Sequence, residues 1–319
     1  MEKESIERFL FMIIVFLFSD RYEKRADFFD EFSKEQSYLK NEGIDSVYYI
    51  DADAEALFNK IQEENNAFPK GILFVCESLE DFSFISENGG YAIGMSNTYD
   101  GTVQKFPKAK YIFSGVDDTF ADSFIKAYQR LSGEPWDILE TPRLIVRETT
   151  VSDVDAFYEI YKDKEMTRYM EDLFKNPEDE KRYMQDYIDK VYGLMGFGVW
   201  TVIRKEDNAI IGRAGFSIRN GFDEVELGFL IGVSYQRNGY AYEVCSSIIE
   251  YGRKMLGFDK IQCLVKKENK ASISLCTKLG FCVSKEVEIE EDIYNGVYLG
   301  SETENKAPSK KGIYVKFVI

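Results

Sequence analysis

The stretch that decides the fold of the second half of the chain is Gln236-Arg237-Asn238-Gly239-Tyr240-Ala241. It lies between an apolar segment that predicts a strand and a long amphipathic segment that predicts a helix over 239–256. A helix begins with backbone N–H groups that have no partner within the helix and with a partial positive charge. Gly239 has no Cβ to hold a ligand away from these groups, so the stretch predicts a binding site for an anion such as a pyrophosphate. Gln236 and Arg237 add side-chain donors nearby.

Working outward, the flanking segments predict strands and helices in a defined order. Ser152 is the predicted N-cap of the first helix, and Glu206-Asp207-Asn208 forms the turn of a hairpin. The hairpin spacing of three strands before Gly239 predicts a meander rather than a doubly wound sheet. In chain order we predict a strand at 143–148, helices at 153–162 and near 178–191, strands at 199–204, 209–218 and 224–231, the helix at 239–256, a strand at 260–265, a helix at 270–279, and strands near 281–289 and 312–318, with a polar loop at Ser301–Lys311.

Four motifs resemble those of the GNAT superfamily of acetyltransferases and lie along the chain in the order typical of that superfamily. The Q-x-x-G-x-A loop is one of them, and Gly239-Tyr240-Ala241-Tyr242-Glu243 resembles its G-Y-A-x-E helix opening. The other three are Glu226-Leu227-Gly228-Phe229 for the E-L-G-F strand, Asn269 to Phe281 for N-x-x-S…K-L-G-F, and Thr141 to Arg147 for the T-x-R-L-x-L-R opening of the branch that contains ribosomal-protein N-terminal acetyltransferases. The resemblance spans 141–319 and implies an α+β domain with a mixed, splayed central sheet.

The resemblance also implies where acetyl-CoA, the expected cosubstrate, would bind. Two strands would splay apart, with the pantetheine arm in the gap and its amides pairing to strand edges near Ile231 and Val233. The loop would hold the pyrophosphate, and Asn269 and Ser272 would flank the cofactor. The implied cofactor-binding residues are Ile231, Val233, Gln236, Arg237, Asn238, Gly239, Tyr240, Ala241, Asn269 and Ser272. Asn269 has a second reading as the N-cap of the following helix. Tyr240 and Tyr242 are candidates to line the acceptor pocket, with packing against the sheet as the alternative.

Acetyl transfer needs a neutral amine, a site for the oxyanion and a proton donor for the leaving thiolate. Glu226 matches the glutamate that family members often use as base, with Glu224 as a competitor. In many members a tyrosine protonates the thiolate, and Cys276 stands at that position here. Its alternative reading is a small residue that fills the core. The predicted catalytic residues are therefore Glu226 and Cys276.

The composition excludes several kinds of partner and catalytic site. The net charge is −16, and residues 1–140 carry 27 acidic and 14 basic side chains, so neither nucleic acid nor a membrane surface is an expected partner. The chain has no histidine, which removes histidine-dependent triads and most catalytic zinc sites, and no metal is expected. Five cysteines without a C-x-x-C pair favour a reducing cytoplasm. The ten-residue apolar run Phe9–Phe18 is too short to span a bilayer as a helix and predicts a buried strand or core helix.

The first half alternates strand-like and helix-like segments, which predicts a parallel sheet covered by helices. The strands are predicted at 46–50, 71–75, 91–95 and 111–113, and the helices at 22–39, 54–64, 79–87 and 119–131. Phe74 to Asp81, followed by Gly89 to Met95, resembles a block of haloacid-dehalogenase-like (HAD-like) phosphatases, and Asp51-Ala52-Asp53 partly matches their D-x-D nucleophile motif. Glu55 departs from that motif, so a noncatalytic HAD-like or Rossmann-like accessory module is the preferred reading.

The chain is therefore predicted to be an α/β protein with an accessory domain over 1–138 and a GNAT domain over 139–319, joined by a linker that ends near Thr141. The predicted function is transfer of acetyl from acetyl-CoA to a primary amine, either a protein N-terminus or a small amine, by direct attack in a ternary complex. Two alternatives stay open: an acyl-CoA-binding sensor without turnover, and a magnesium-dependent phosphohydrolase in the first half. The acidic face of the first half is available for substrate, a partner or a second subunit, as in a homodimer.

Overall fold

The computed structural model describes residues 12–19, 28–65, 70–96, 103–115, 119–292 and 309–319. Its contacts divide the chain into two compact units, Met1–Glu134 and Pro135–Ile319. None of the helices within the described ranges has both the length and the apolar character needed to cross a bilayer.

The first unit contains a sheet of five parallel strands, as the alternation of segments predicts. The strand order is β2-β1-β3-β4-β5, one of the common doubly wound arrangements. Helices α1 and α4 cover one face, and helices α2 and α3 cover the other. The elements are β1 (Met12–Phe18), α1 (Phe28–Asn41), β2 (Ile44–Ile50), α2 (Ala54–Asn65), β3 (Ile72–Cys76), α3 (Leu79–Glu87), β4 (Ala92–Met95), β5 (Ile112–Phe113) and α4 (Ala121–Ser132).

The apolar run near the start of the chain is a strand, β1, buried on both faces. Phe16 and Phe18 belong to the core under α1 and α4, whereas Val15 and Leu17 belong to the core under α2 and α3. Such a strand is apolar at every position because neither face meets water. Residues 9–11 of the run and residues 22–27 of the first predicted helix lie outside the described residues.

The second unit contains an eight-stranded sheet of order β12-β13-β11-β10-β9-β8-β7-β6. Every neighbouring pair is antiparallel except β10 and β11, which makes the sheet mixed, as predicted. The strands are β6 (Asp137–Glu140), β7 (Leu144–Arg147), β8 (Val199–Arg204), β9 (Ala209–Ser217), β10 (Val225–Ile231), β11 (Ile261–Lys266), β12 (Cys282–Asp292) and β13 (Ser309–Val318). The helices are α5 (Val154–Tyr161), α6 (Pro177–Tyr187), α7 (Gly193–Met195), α8 (Tyr240–Lys254) and α9 (Lys270–Lys278).

Three sequence predictions need correction. The predicted linker contains the edge strand β6, because Ile138 and Leu139 pack against the core of the second unit. Ser152 is not an N-cap, since a 3-10 turn begins the helix one turn earlier and the Asp153 carboxylate accepts the N–H of Thr150 at 2.9 Å. The predicted loop at 301–311 ends by position 309, where β13 pairs with β12, and its residues 301–308 lie outside the described residues.

Different helices cover the two faces of this sheet. On β10, Leu227 and Ile231 pack in the core with α8, so the alternate residues Glu226, Gly228 and Leu230 point to the opposite face. That opposite face carries α5 and α6, whose own apolar cluster includes Phe157 and Met184.

Glu243 ties the first turn of α8 to the segment that opens the second unit. Its carboxylate accepts the Thr141 hydroxyl at 2.6 Å, the Arg143 backbone N–H at 3.1 Å and the Arg143 guanidinium Nε at 2.7 Å. The same guanidinium donates to the carbonyl of Asn238 at 3.0 Å and lies 4.5 Å from the centre of the Tyr240 ring. Burial opposes ionisation of Glu243, but these hydrogen bonds outweigh it and lower the pKa of the carboxyl. The contacts hold the start of α8 in place.

Three strand glycines should respond differently to alanine. A Cβ at Gly212 would lie 2.0 Å from the Leu230 carbonyl oxygen, and one at Gly215 would lie 2.1 Å from the Gly198 carbonyl oxygen, whereas a Cβ at Gly228 meets nothing within 4 Å. We expect Gly212→Ala and Gly215→Ala to lower the free energy of unfolding by about 3 kcal/mol or more. Gly228→Ala should change it by less than about 1 kcal/mol. Trp136 and Trp200, the two tryptophans of the chain, both lie in the second unit, so denaturant unfolding followed by tryptophan fluorescence reports on this unit. Equal losses for all three variants would contradict the packing described.

Glu243→Gln should make the stability of the second unit less dependent on acid. The lowered pKa of Glu243 means that the unfolded chain binds the proton more readily, so this contribution is present above the ordinary value of 4.5 and is lost as pH falls through the folded-state pKa. At pH 7 the variant should lose about 1–2 kcal/mol. The difference from the native protein should then shrink at pH values below 4.5. Glu250→Gln, on the same helix and paired only with exposed Lys254, is the matched control. A difference that stays constant with pH would exclude this ionisation as the cause.

Candidate functional site

The predicted anion loop has the backbone geometry of a binding site. Gly239 is the N-cap of α8 in the left-handed conformation, with φ of 80°, and no side chain caps the helix. A Cβ at Gly239 would meet only an Arg143 guanidinium nitrogen, at 3.5 Å. The first N–H groups of α8 therefore point into open space with a positive guanidinium beside them, which suits a phosphate group.

The side chains of the loop divide into two groups. Gln236 donates to the Ile231 carbonyl at 2.9 Å, and Asn238 donates to the carbonyls of Tyr235 and Gln236 at 3.1 Å each. Both amides therefore brace the loop from within. Arg237 is exposed and, with φ of 66°, is itself left-handed, so its side chain is the one available for a ligand. Arg143 was not among the predicted cofactor residues, although its place in the T-x-R-L motif was a usable signal.

The parallel strands β10 and β11 meet at only two residue pairs, Val225 with Ile261 and Glu226 with Gln262. Beyond Glu226 they diverge, as the predicted splay requires. Among the described residues, no strand pairs with the edge of Leu227–Ile231 that faces β11. At this edge the Cys263 thiol donates a hydrogen bond to the Leu227 carbonyl at 3.4 Å. The gap opens toward the loop at Gly239, because β10 runs into the 3-10 turn Val233–Tyr235 that precedes it. Val233 is 37% exposed there.

Helix α9 follows β11 along the other side of the gap. Asn269 is its N-cap, and the side-chain oxygen accepts the Ser272 N–H at 3.1 Å. The capping reading of Asn269 is therefore confirmed. Ser272 lies in the first turn of α9 and is half-buried.

Glu226 lies where the strands begin to part, on the face opposite α8. It is 8% exposed, and its carboxylate accepts the Nε–H of Arg219 at 2.6 Å. Burial disfavours the charged guanidinium of Arg219, but the ion pair outweighs burial and raises its pKa. The competing carboxylate, Glu224, is paired instead with Lys316 of β13 at 2.7 Å, a hydrogen bond that lowers the pKa of Glu224. Of the two glutamates, Glu226 is the nearer to Gly228 on this face of β10, and the space at Gly228 is open.

Sequence reasoning missed Arg219. The signal was available in the hairpin of β9 and β10, where Ser217 is opposite Glu226, because a side chain just beyond Ser217 can reach back to that carboxylate.

Cys276 lies in the core with two other thiols. It is fully buried, as are Cys245 of α8 and, to within 1%, Cys263 of β11. A hydrogen bond with Cys276, together with burial, raises the pKa of Cys263 well above its usual range. The Cys276 thiol therefore has neighbours within the protein and no solvent exposure, a setting in which cysteine packs as a small apolar residue.

The chain is similar to known acetyltransferases. The family described as acetyltransferase (GNAT) domain matches residues 143–282. The uncharacterized N-acetyltransferase YoaA of Bacillus subtilis (strain 168) is 33% identical over 147 residues, which are 45% of this chain and 82% of that protein. The uncharacterized N-acetyltransferase p20 of Bacillus licheniformis is 30% identical over 149 residues, 45% of this chain and 81% of that protein.

Among solved structures, the ribosomal-protein-S5-alanine acetyltransferase of Vibrio fischeri is 18% identical, with a TM-score of 0.44 and coverage of 57% of this chain and 94% of that chain. The identity to YoaA over most of that protein's length, together with the family match across the loop and strands described above, shows that the chain belongs to the GNAT family of N-acetyltransferases.

Proposed function

We propose that the second unit transfers the acetyl group of acetyl-CoA to a primary amine, on a protein N-terminus or a small molecule, by direct attack in a ternary complex. The observation that carries the proposal is the gap between β10 and β11, which leads to a helix start with free N–H groups. A long, narrow cosubstrate with phosphates at one end and a thioester at the other fits this combination.

The groups available to hold acetyl-CoA follow the order of its parts: donors for the pyrophosphate at the helix start, and backbone groups for the pantetheine arm along the gap. The N–H groups at Gly239, Tyr240 and Ala241, with the guanidinium groups of Arg143 and Arg237, suit the pyrophosphate. The edge of β10 beyond Glu226, where β11 is not paired with it, offers backbone groups near Ile231 to the amides of the pantetheine arm, although the Ile231 carbonyl itself accepts from Gln236.

The amine is proposed to approach over Gly228, where the lack of a side chain leaves the face of the sheet open beside Glu226. Its lone pair attacks the thioester carbonyl carbon, the C–S bond breaks, and the thiolate leaves as the free thiol of CoA once protonated. The amine proton passes to the Glu226 carboxylate, directly or through a water. Arg219 holds that carboxylate in position through the 2.6 Å ion pair, so the base is oriented before the reaction begins.

The proposal predicts turnover. With acetyl-CoA and a panel of amines and ribosomal N-terminal peptides, we expect thiol release that depends on an acceptor, and calorimetry should show binding of acetyl-CoA alone. Gly239→Val should weaken that binding, because a branched side chain would strain the left-handed backbone and cover the N–H groups. Gly257→Val, at another left-handed glycine with open space around it, is the matched control. Binding without turnover would identify an acyl-CoA sensor instead. If both variants bind acetyl-CoA as tightly as the native protein, the loop is excluded as the phosphate site.

The two predicted catalytic residues should differ in effect. Glu226→Gln keeps the shape but removes the base, so we expect kcat/KM to fall by about 10²- to 10⁴-fold with the KM for acetyl-CoA unchanged. Cys276 stays the candidate acid, but its complete burial supports a packing role, and Cys276→Ala should then lower stability and leave kcat nearly unchanged. Initial rates measured across pH 6–10 compare the two. A loss in Cys276→Ala as large as that in Glu226→Gln would assign the proton transfer to this thiol.

For the first unit we propose a noncatalytic accessory role, and its residues support this over a phosphohydrolase. Asp51 and Asp53, the partial match to a nucleophile motif, are exposed after the edge strand β2, and the Asp53 carboxylate accepts the Ala56 N–H at 3.0 Å at the start of α2. Ser78 likewise caps α3 through the N–H groups of Glu80 and Asp81. Capping thus accounts for Asp53 and Ser78, two of the polar side chains that gave the HAD-like resemblance.

A further inference from the structure

Arg213 is placed on the face of the sheet that carries Glu226. It lies on β9 directly opposite Leu230, and the pairs Gly215 with Gly228 and Ser217 with Glu226 follow along the same ladder. Residues that pair across antiparallel strands at alternate positions share one face. The Arg213 guanidinium lies 4.8 Å from the centre of the Phe157 ring on α5, which fixes the face directly.

The guanidinium of Arg213 has no hydrogen-bond or ion-pair partner among the residues that the structure describes, and its Nε atom is buried. The other arginines in or beside these central strands are all paired. Arg147 bonds Asp153, Arg204 bonds Asp207 and Arg219 bonds Glu226. A half-buried guanidinium without a partner is unfavourable in the protein alone, because its N–H groups lose water without gaining an acceptor.

The acidic side chain on α6 that is electrostatically coupled to Arg213 does not fill this role. Glu180 is 3% exposed, and its carboxylate accepts the Phe174 N–H at 3.0 Å, with no ion pair to Arg213 within the described chain. Burial raises the pKa of Glu180, against the opposing effects of the Phe174 hydrogen bond and the Arg213 charge. The stacking on Phe157 meanwhile holds the guanidinium plane in one orientation.

The position of Arg213 relates it to the reaction. Successive residues on one face of a strand are about 7 Å apart, so Arg213 lies about 7 Å along the ladder from the open space at Gly228 and about 13 Å from Glu226. An acceptor whose amine lies over Gly228 therefore has a free, oriented cation within reach on one side and the proposed base on the other. A planar guanidinium fork matches the two oxygens of a carboxylate.

We propose that Arg213 binds a carboxylate carried by the amine acceptor, which makes the substrate an amino acid or a peptide with an acidic group close to its amino terminus. This inference rests on the proposed acetyl transfer by the second unit. It identifies Arg213 as a residue that determines specificity, acting through substrate binding rather than proton transfer.

The test compares matched acceptors. Free amino acids are set against their α-amides, and peptides that begin Ser-Glu against peptides that begin Ser-Gln. We expect the native protein to favour the carboxylate member of at least one set, and the set in which it does so identifies the source of the carboxylate. Arg213→Met preserves the packing on Phe157 and should lower kcat/KM for that acceptor by roughly 10- to 100-fold, mainly through KM, while leaving its amide analogue unchanged.

Two further variants complete the design. Arg213→Lys keeps the charge but not the fork and should recover only part of the loss. Arg253→Met, at an exposed arginine of α8, should behave like the native protein. Tryptophan fluorescence confirms that each variant is folded, since both tryptophans lie in this unit.

Calorimetric titration of the same acceptors into the protein saturated with CoA gives a readout that does not need turnover. Weaker binding of the carboxylate acceptor in Arg213→Met would support the inference even where rates are too slow to measure. Equal losses on the carboxylate and amide acceptors, or no preference in the native protein by either method, would overturn it while leaving acetyl transfer intact. Absence of both turnover and acetyl-CoA binding would instead remove the proposed function itself.

Discussion

The second unit depends on one constraint: its single parallel strand pair is hydrogen-bonded at only two positions. Parallel strands need a crossover, and here α8 supplies it between β10 and β11. The crossover begins at the end of β10. The strand that diverges from β11 and the helix whose N-terminus faces the gap are therefore consecutive in the chain. The gap and the anion loop are thus two consequences of one connection.

Contacts made by a few side chains keep this opening in place. The Glu243 carboxylate, on the first turn of α8, is bound by Thr141 and Arg143, about a hundred residues earlier in the chain. At the other end Glu224 is tied to Lys316 of β13, and Glu226 to Arg219 of the preceding hairpin. These three glutamates are each paired within the protein, so the positions that remain open to a substrate are few: the helix start with exposed Arg237, the edge of β10 beyond Glu226 and the space over Gly228.

The charged groups of this unit differ in how far their hydrogen bonds are satisfied within the protein. A carboxylate or guanidinium whose hydrogen bonds are satisfied within the fold contributes to position and stability. Arg213 differs because its hydrogen-bonding capacity is left over on the face where an acceptor would lie. The thiols of Cys245 and Cys263 belong with the structural groups, since burial raises the pKa of Cys245, and a hydrogen bond with Cys276 together with burial raises the pKa of Cys263. Cys276 is fully buried beside them.

The family could be predicted from four sequence motifs, and the order of the elements and the loop at Gly239 from local properties: periodicity, helix capping and a glycine at a helix start. The sequence also predicted the splay, through the motifs on both sides. It did not predict β6, since two apolar residues among charged ones give too short a pattern. It placed the N-cap at Ser152, whereas a capping box between Thr150 and Asp153 begins a 3-10 turn that leads into α5.

Only the tertiary structure decided which side chains face one another across the sheet. Three features depend on the register of β9 against β10 and on which helix covers which face: Glu226 is held by Arg219, Gly228 leaves a space, and Arg213 has no hydrogen-bond partner among the described residues. Shifting that register by one residue would turn every one of these side chains to the other face. Single-sequence patterns leave such pairings open because hydrogen bonds and ion pairs between strands are set by three-dimensional packing and not by local preference.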